Sequence, residues 1–223
     1  MRCLRQLAAA ALLLTIAPGV RAQLNLKHDK PQVEDLSWMW QYTQPAPTGR
    51  EMDLVQDARF PLLLEHYFQA PQTFWNDGRI PLFKVAERYF GVLFGQVVAD
   101  EERYLTIYGC VPHLCPDQGM LWVDVHGPRP LLVFAATNWT TQGKPIEDPD
   151  ANFNLWIFCS APIDIHKIPK SLIRSISNWN STQPQHIESA VLVNPDGTPH
   201  VVPPASLGAT PASEASTTQK AHS

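Results

Sequence analysis

The chain of 223 residues lacks the short motifs that announce most enzyme classes. There is no GxSxG elbow for a serine nucleophile, no HExxH pair for zinc, no phosphate-binding glycine loop and no dinucleotide fingerprint. Its acidic residues are scattered, and no pair is singled out by its setting. Missing motifs do not rule out an enzyme, but nothing here asks for one, so the reading is of a non-enzyme with no cofactor and no metal. A basic surplus is also missing: the formal net charge is -4, which leaves no electrostatic footprint for nucleic acid. No apolar run approaches the roughly 20 residues that a membrane span requires. Cysteine is scarce, at four in the chain, one of them within the first three residues.

What is present begins with an expected secretory signal peptide over residues 1–22. Arg2 and Arg5 make its basic start, Leu7 to Ile16 its apolar stretch, and Val20-Arg21-Ala22 its small cleavage residues. The mature chain is then expected to start near Gln23 and to be periplasmic or secreted. Residues 23–50 form an N-terminal extension whose Trp38, Trp40 and Tyr42 suggest docking onto the rest. Residues 51–202 form the expected domain. Residues 203–223, rich in Ala, Ser, Thr and Pro, have too little apolar surface to offset ordering entropy and are expected to be a disordered tail.

Within the domain, Glu51 to Phe68 reads as helix interrupted at Pro61, which restarts a second short helix in its first turn. Pro81 opens the clearest amphipathic helix, with Leu82, Val85, Ala86, Tyr89 and Phe90 on one face. Short strands follow around Gln96–Ala99, Tyr104–Tyr108, Met120–Val125, Leu131–Ala136 and Leu155–Cys159. Pro169 opens a second amphipathic helix carrying Leu172, Ile173, Ile176 and Trp179. Ile187–Val193, the turn Asn194-Pro195-Asp196-Gly197 and His200-Val201-Val202 make a terminal hairpin. The expected class is α+β: an antiparallel sheet of about five strands flanked by helices, with a protruding disulfide-closed loop.

That loop is Cys110-Val111-Pro112-His113-Leu114-Cys115, set between two strand-like runs. In an oxidising compartment Cys110 and Cys115 are the obvious disulfide, leaving Cys159 as a buried thiol that behaves as a small hydrophobe. Closing so short a loop removes about 2 kcal/mol of unfolded-chain entropy in the loop-entropy treatment, and it leaves little freedom to lose on binding. Pro112 fixes its own φ and pushes Val111 towards extended geometry. His113 stands near the tip, and an acidic cleft would favour its protonated form. Three other readings compete. The disulfide staples a hairpin and His113 is an ordinary surface residue; or Cys110, His113 and Cys115 hold a metal with a fourth ligand such as His126; or a cysteine and His113 form a thiol enzyme. The last two need reduced thiols, which an exported protein does not keep. His66, His126, His166, His186 and His200 are dispersed and read as surface or satisfied residues.

Cys-Val-Pro-His-Leu-Cys followed by Asp117-Gln118 resembles the Cys-Lys-Pro-His-Asp/Asn-Cys loop of the Ivy family, periplasmic inhibitors of vertebrate c-type lysozyme. The resemblance covers about Tyr104 to Thr137. It implies that Cys110 and Cys115 form the bridge, that Pro112 and His113 match the family's proline and inserted histidine, and that Gln118 matches a glutamine just after the loop. In that family the histidine plugs the enzyme cleft between two catalytic carboxylates, which stand about 5 Å apart in retaining glycosidases. The implied partner is a lysozyme-type muramidase or other wall glycosidase, met by Val111, Pro112, His113, Leu114, Asp117 and Gln118. Nucleic acid is not an expected partner, and a homodimer is left open. Val111 stands where the family has lysine, and Leu114 where it has an acidic or amide residue. The alternative is an envelope protein of the same fold whose loop grips a different partner.

Overall fold

The computed structural model describes residues 35–43, 50–126, 129–140, 144–146, 148 and 150–212. The expected signal peptide and residues 213–223 of the expected tail lie outside the described residues, as does most of the N-terminal extension.

Proline punctuates the helices as the sequence suggests. Helix α1 covers Arg50–Gln56, and α2 covers Arg59–Tyr67 with Pro61 in its first turn, where the missing N–H removes no helical bond. Pro81 and Pro169 cap α3 (Leu82–Tyr89) and α4 (Lys170–Thr182) in extended geometry. The apolar stripe of α3 is fully inside, and so are Leu172, Ile176 and Trp179 of α4. The N-terminal aromatics also dock. Ser37–Tyr42 forms a 3₁₀ turn whose Met39 is buried, with Trp38, Trp40 and Tyr42 packed against the core.

Eight strands form one sheet among the described residues, where about five were expected. They are β1 (Val92–Leu93), β2 (Val98–Asp100), β3 (Tyr104–Val111), β4 (Leu114–Asp124), β5 (Leu131–Trp139), β6 (Asn152–Cys159), β7 (His186–Val193) and β8 (Pro199–Val202). The spatial order is β1-β3-β4-β5-β6-β7-β8, with β2 also paired to β3. The excess over five has two sources. The short β1 and β2 share one edge of β3, and the terminal hairpin β7–β8 joins the same sheet.

The sheet is not wholly antiparallel, as the sequence reading held. Strand β6 pairs with β7 in parallel, from Asn152 opposite His186 to Phe158 opposite Val193. The reason is the connection: α4 lies between these strands, and a crossover of that length returns the chain to run in the same direction.

Both sheet faces are covered, because side chains alternate along every strand. Leu121 and Val123 of β4, with Leu132, Phe134 and Ala136 of β5, pack against α1–α3. Met120 and Trp122, with Val133 and Ala135, face α4. Cys159 lies on the α4 face as a buried free thiol, its ionisation pushed up to about 12 by burial. Residues 203–212 depart from the expected disorder. Pro204–Leu207 forms a 3₁₀ turn, Leu207 and Ala209 are buried, the Thr210 N–H donates to Asn180 Oδ1 at 2.8 Å, and Pro211 bridges to Ile187. Two apolar side chains at the right positions suffice to hold a segment whose average composition is poor.

Candidate functional site

The β3–β4 hairpin carries the candidate site. From Tyr104 opposite Asp124 to Cys110 opposite Gln118 the ladder is regular, and it then closes with Val111 opposite Leu114. That register makes Pro112-His113 the connection, and it leaves Cys115, Pro116 and Asp117 as a bulge on β4. The turn has the type II pattern, proline first and then a residue at positive φ, here His113 at 63°. Few residues other than glycine accept that region, although histidine is among the more tolerant. The Cys110–Cys115 disulfide, with Cα atoms 4.8 Å apart, therefore lies across the last rungs of the strands rather than at the base of an open loop.

Five contacts hold the end of the hairpin. Val92 of β1 pairs with Cys110 along the outer edge. Pro112 lies over Gly91, where a Cβ would fall 2.5 Å from the proline ring. On the inner side β4 parts from β5 after Gly119, and side chains continue the ladder: the Gln118 N–H donates to Thr137 Oγ1 at 3.1 Å, and the Trp139 N–H donates to Asp117 Oδ1 at 3.0 Å. Gln185 Nε2 holds the bulge by donating to the Pro116 carbonyl at 2.5 Å.

The residues expected to meet a partner divide into two groups. Pro112 and His113 are exposed, and Leu114 is half-buried. Val111, Asp117 and Gln118 are buried, at 9 %, 5 % and 7 % exposure. Gln118 Oε1 accepts the Trp179 indole N–H at 3.1 Å, which ties β4 to α4. Val111 thus does not stand in the surface position that a lysine would occupy. The exposed tip is therefore Pro112 and His113, with Leu114 beside them. Among the described residues, no group of three or more His, Cys, Asp or Glu could hold a metal, and no helix is long and apolar enough to cross a membrane. Asn138 Oδ1 accepts the Trp156 indole N–H, and Asn180 is buried and bonded to Gln185 and Thr210.

Sequence reasoning passed over an open cleft of about 520 Å³ beside the hairpin, bounded by Leu114 and Asp117 on one side and by Trp75 and Trp139 on others. The signal was present as aromatics at Phe74-Trp75, in a loop, and at Trp139, the last residue of β5, but only the tertiary fold brings them together.

The chain is thus a mixed α+β protein with a disulfide across the end of a β-hairpin. Comparison with protein-family models, with curated proteins and with solved structures gives no match.

Proposed function

We propose that the protein is an exported, Ivy-like inhibitor of lysozyme or a related wall glycosidase, acting by occupancy rather than turnover. What supports this reading is the hairpin tip: a two-residue turn, crossed by a disulfide and buttressed by Gly91, with an exposed histidine at its apex. A narrow, preorganised projection loses little entropy on entering a cleft. Between two carboxylates about 5 Å apart, an imidazolium donates one N–H to each side, and the surrounding negative charge favours its charged form.

Turbidity clearing of cell walls by a c-type lysozyme, with and without the protein, tests the proposal. Wild-type protein lowers the rate. His113→Ala weakens inhibition by about a hundredfold, the scale of removing an interfacial anchor, without shifting the melting temperature. Reductant weakens inhibition less, because the Val111–Leu114 pairing and the Pro112–Gly91 contact survive it. Equal inhibition by wild type and His113→Ala would sink the mechanism. Absence of inhibition, together with capture of a different enzyme from a periplasmic extract through the same tip, would favour another partner.

A further inference from the structure

The cleft beside the hairpin is built from rings that are already held in place. Phe74 stacks on Trp156 with centroids 5.5 Å apart, and Trp75 meets Tyr89 edge-on at 5.2 Å. Tyr89 is anchored in turn by its hydroxyl, which donates to the Thr137 carbonyl at 3.0 Å. On another wall the Trp139 indole N–H donates to the Lys144 carbonyl at 3.1 Å. Phe74, Trp75 and Trp139 are all half-buried, so part of each remains open to a ligand.

Two charged groups in this cleft have no ion-pair partner among the described residues. Asp117 is 5 % exposed and lines the cavity; its Oδ1 accepts the Trp139 N–H, while Oδ2 has no hydrogen bond or ion pair among the described residues. Burial outweighs that single bond and pushes the Asp117 carboxyl up to about 6. The Arg88 guanidinium, on the same cleft, is exposed and makes no ion pair among the described residues. Because Asp117 lines the open cleft, a ligand hydroxyl there can donate to its free oxygen.

These groups select among ligands. A simple cation suits the aromatic rings and Asp117 but is opposed by Arg88. An anion suits Arg88 and is opposed by Asp117. A hydrocarbon leaves both unpaired. A neutral polyol with one apolar face fits all of them: its C–H face lies on the indoles, and neighbouring hydroxyls donate to Asp117 Oδ2 and accept from Arg88. We infer that the cleft formed by Phe74, Trp75, Arg88, Asp117 and Trp139 is a saccharide-binding site. The volume of about 520 Å³ is in the ordinary range of small-molecule sites.

The test is titration of the whole mature protein with chitotriose, cellotriose and maltotriose, followed by tryptophan fluorescence and calorimetry. At least one trisaccharide saturates with a dissociation constant below about 1 mM. Trp75→Ala and Trp139→Ala each weaken that binding by about tenfold or more, the scale of losing an aromatic contact, whereas Trp75→Phe retains most of it. Asp117→Asn can still accept the Trp139 N–H, keeps the melting temperature and weakens binding by a similar factor. Failure of all three sugars to saturate overturns the inference. So does binding unchanged in every variant, or stronger binding of phenyltrimethylammonium than of any sugar. The inference does not rest on His113 and the titration contains no lysozyme, so each reading can fail alone.

Discussion

Glu51 is a carboxylate with 1 % of its surface exposed, on α1. It accepts the Gly95 N–H at 2.7 Å and the Tyr108 N–H at 3.3 Å, joining the helix to the outer edge of the sheet. Desolvation outweighs these bonds and pushes its ionisation from 4.5 up to about 7. Between those values the folded protein holds a proton that the unfolded chain has released. The stabilisation is complete below pH 4.5 and is lost as the pH rises through about 7. Asp117 acts in the same sense between 3.8 and about 6. At lower pH the opposite holds for Asp57: its hydrogen bonds from Arg59 and Tyr42 hold its carboxyl below the usual range, so protonating it in acid costs stability. Urea unfolding across this range should show greatest stability near pH 4–5 and a decline towards pH 8. Glu51→Gln should flatten the decline by on the order of 2 kcal/mol. An unaltered slope in Glu51→Gln would show that Glu51 ionises freely in the folded state.

At the scale of the element, the hairpin depends on residues that have no side chain. Gly109 and Gly119 face each other across β3 and β4, beneath the C-terminal end of α3. A Cβ at Gly119 would fall 2.7 Å from Tyr89 Cβ, and one at Gly109 would fall 2.7 Å from the backbone oxygens of Tyr89 and Val92. Gly119→Ala should therefore push α3 from the sheet and lower stability by about 1–3 kcal/mol, visible in the denaturation midpoint. Gly91→Ala acts locally. It meets the Pro112 ring, so under the proposed inhibitor function it should weaken lysozyme inhibition several-fold while changing the melting temperature little. Equal inhibition by Gly91→Ala and wild type would mean that the buttress does not position the tip.

Elements were legible in the sequence where a local rule governs them. Pro61, Pro81 and Pro169 fall at helix starts because the ring is tolerated there and not in a helix interior, and the stripe from Leu82 to Phe90 follows from helical period. The cysteine pair and His113 were legible as a small closed hairpin. What escaped needs the third dimension. Asp117 and Gln118 read as polar loop residues, yet a bulge turns them inward to finish the edge of β4. The parallel pairing of β6 with β7 was available in principle, since strand, helix and strand occur there in that order. Nothing local marks Trp75 and Trp139, 64 positions apart by number, as walls of one cleft.

At the scale of the whole molecule, one sheet serves two cores, and each needs its own cover. On one face the cover is α1–α3 together with the 3₁₀ turn at Ser37–Tyr42. On the other it is α4, tied to the sheet by the Thr106–Ser175 hydroxyl contact at 3.1 Å and by Trp179 on Gln118. A single thirteen-residue helix leaves part of that face uncovered, and the chain after β8 returns to close it. Leu207, with none of its surface exposed, fills the gap, and Gly208 turns with φ of 77° close to the Ile173 carbonyl. Residues 204–211 are thus a structural part of the α4 face. Leu207→Ala should destabilise by about 2–4 kcal/mol through lost burial and the cavity left behind. Deleting everything after Val202 should cost at least as much, because it also removes the Thr210–Asn180 bond and the bridge to Ile187. Amide exchange should then rise first in α4 and β7, with the β3–β4 hairpin still protected. A truncated chain as stable as the full one would mean that α4 covers its face alone.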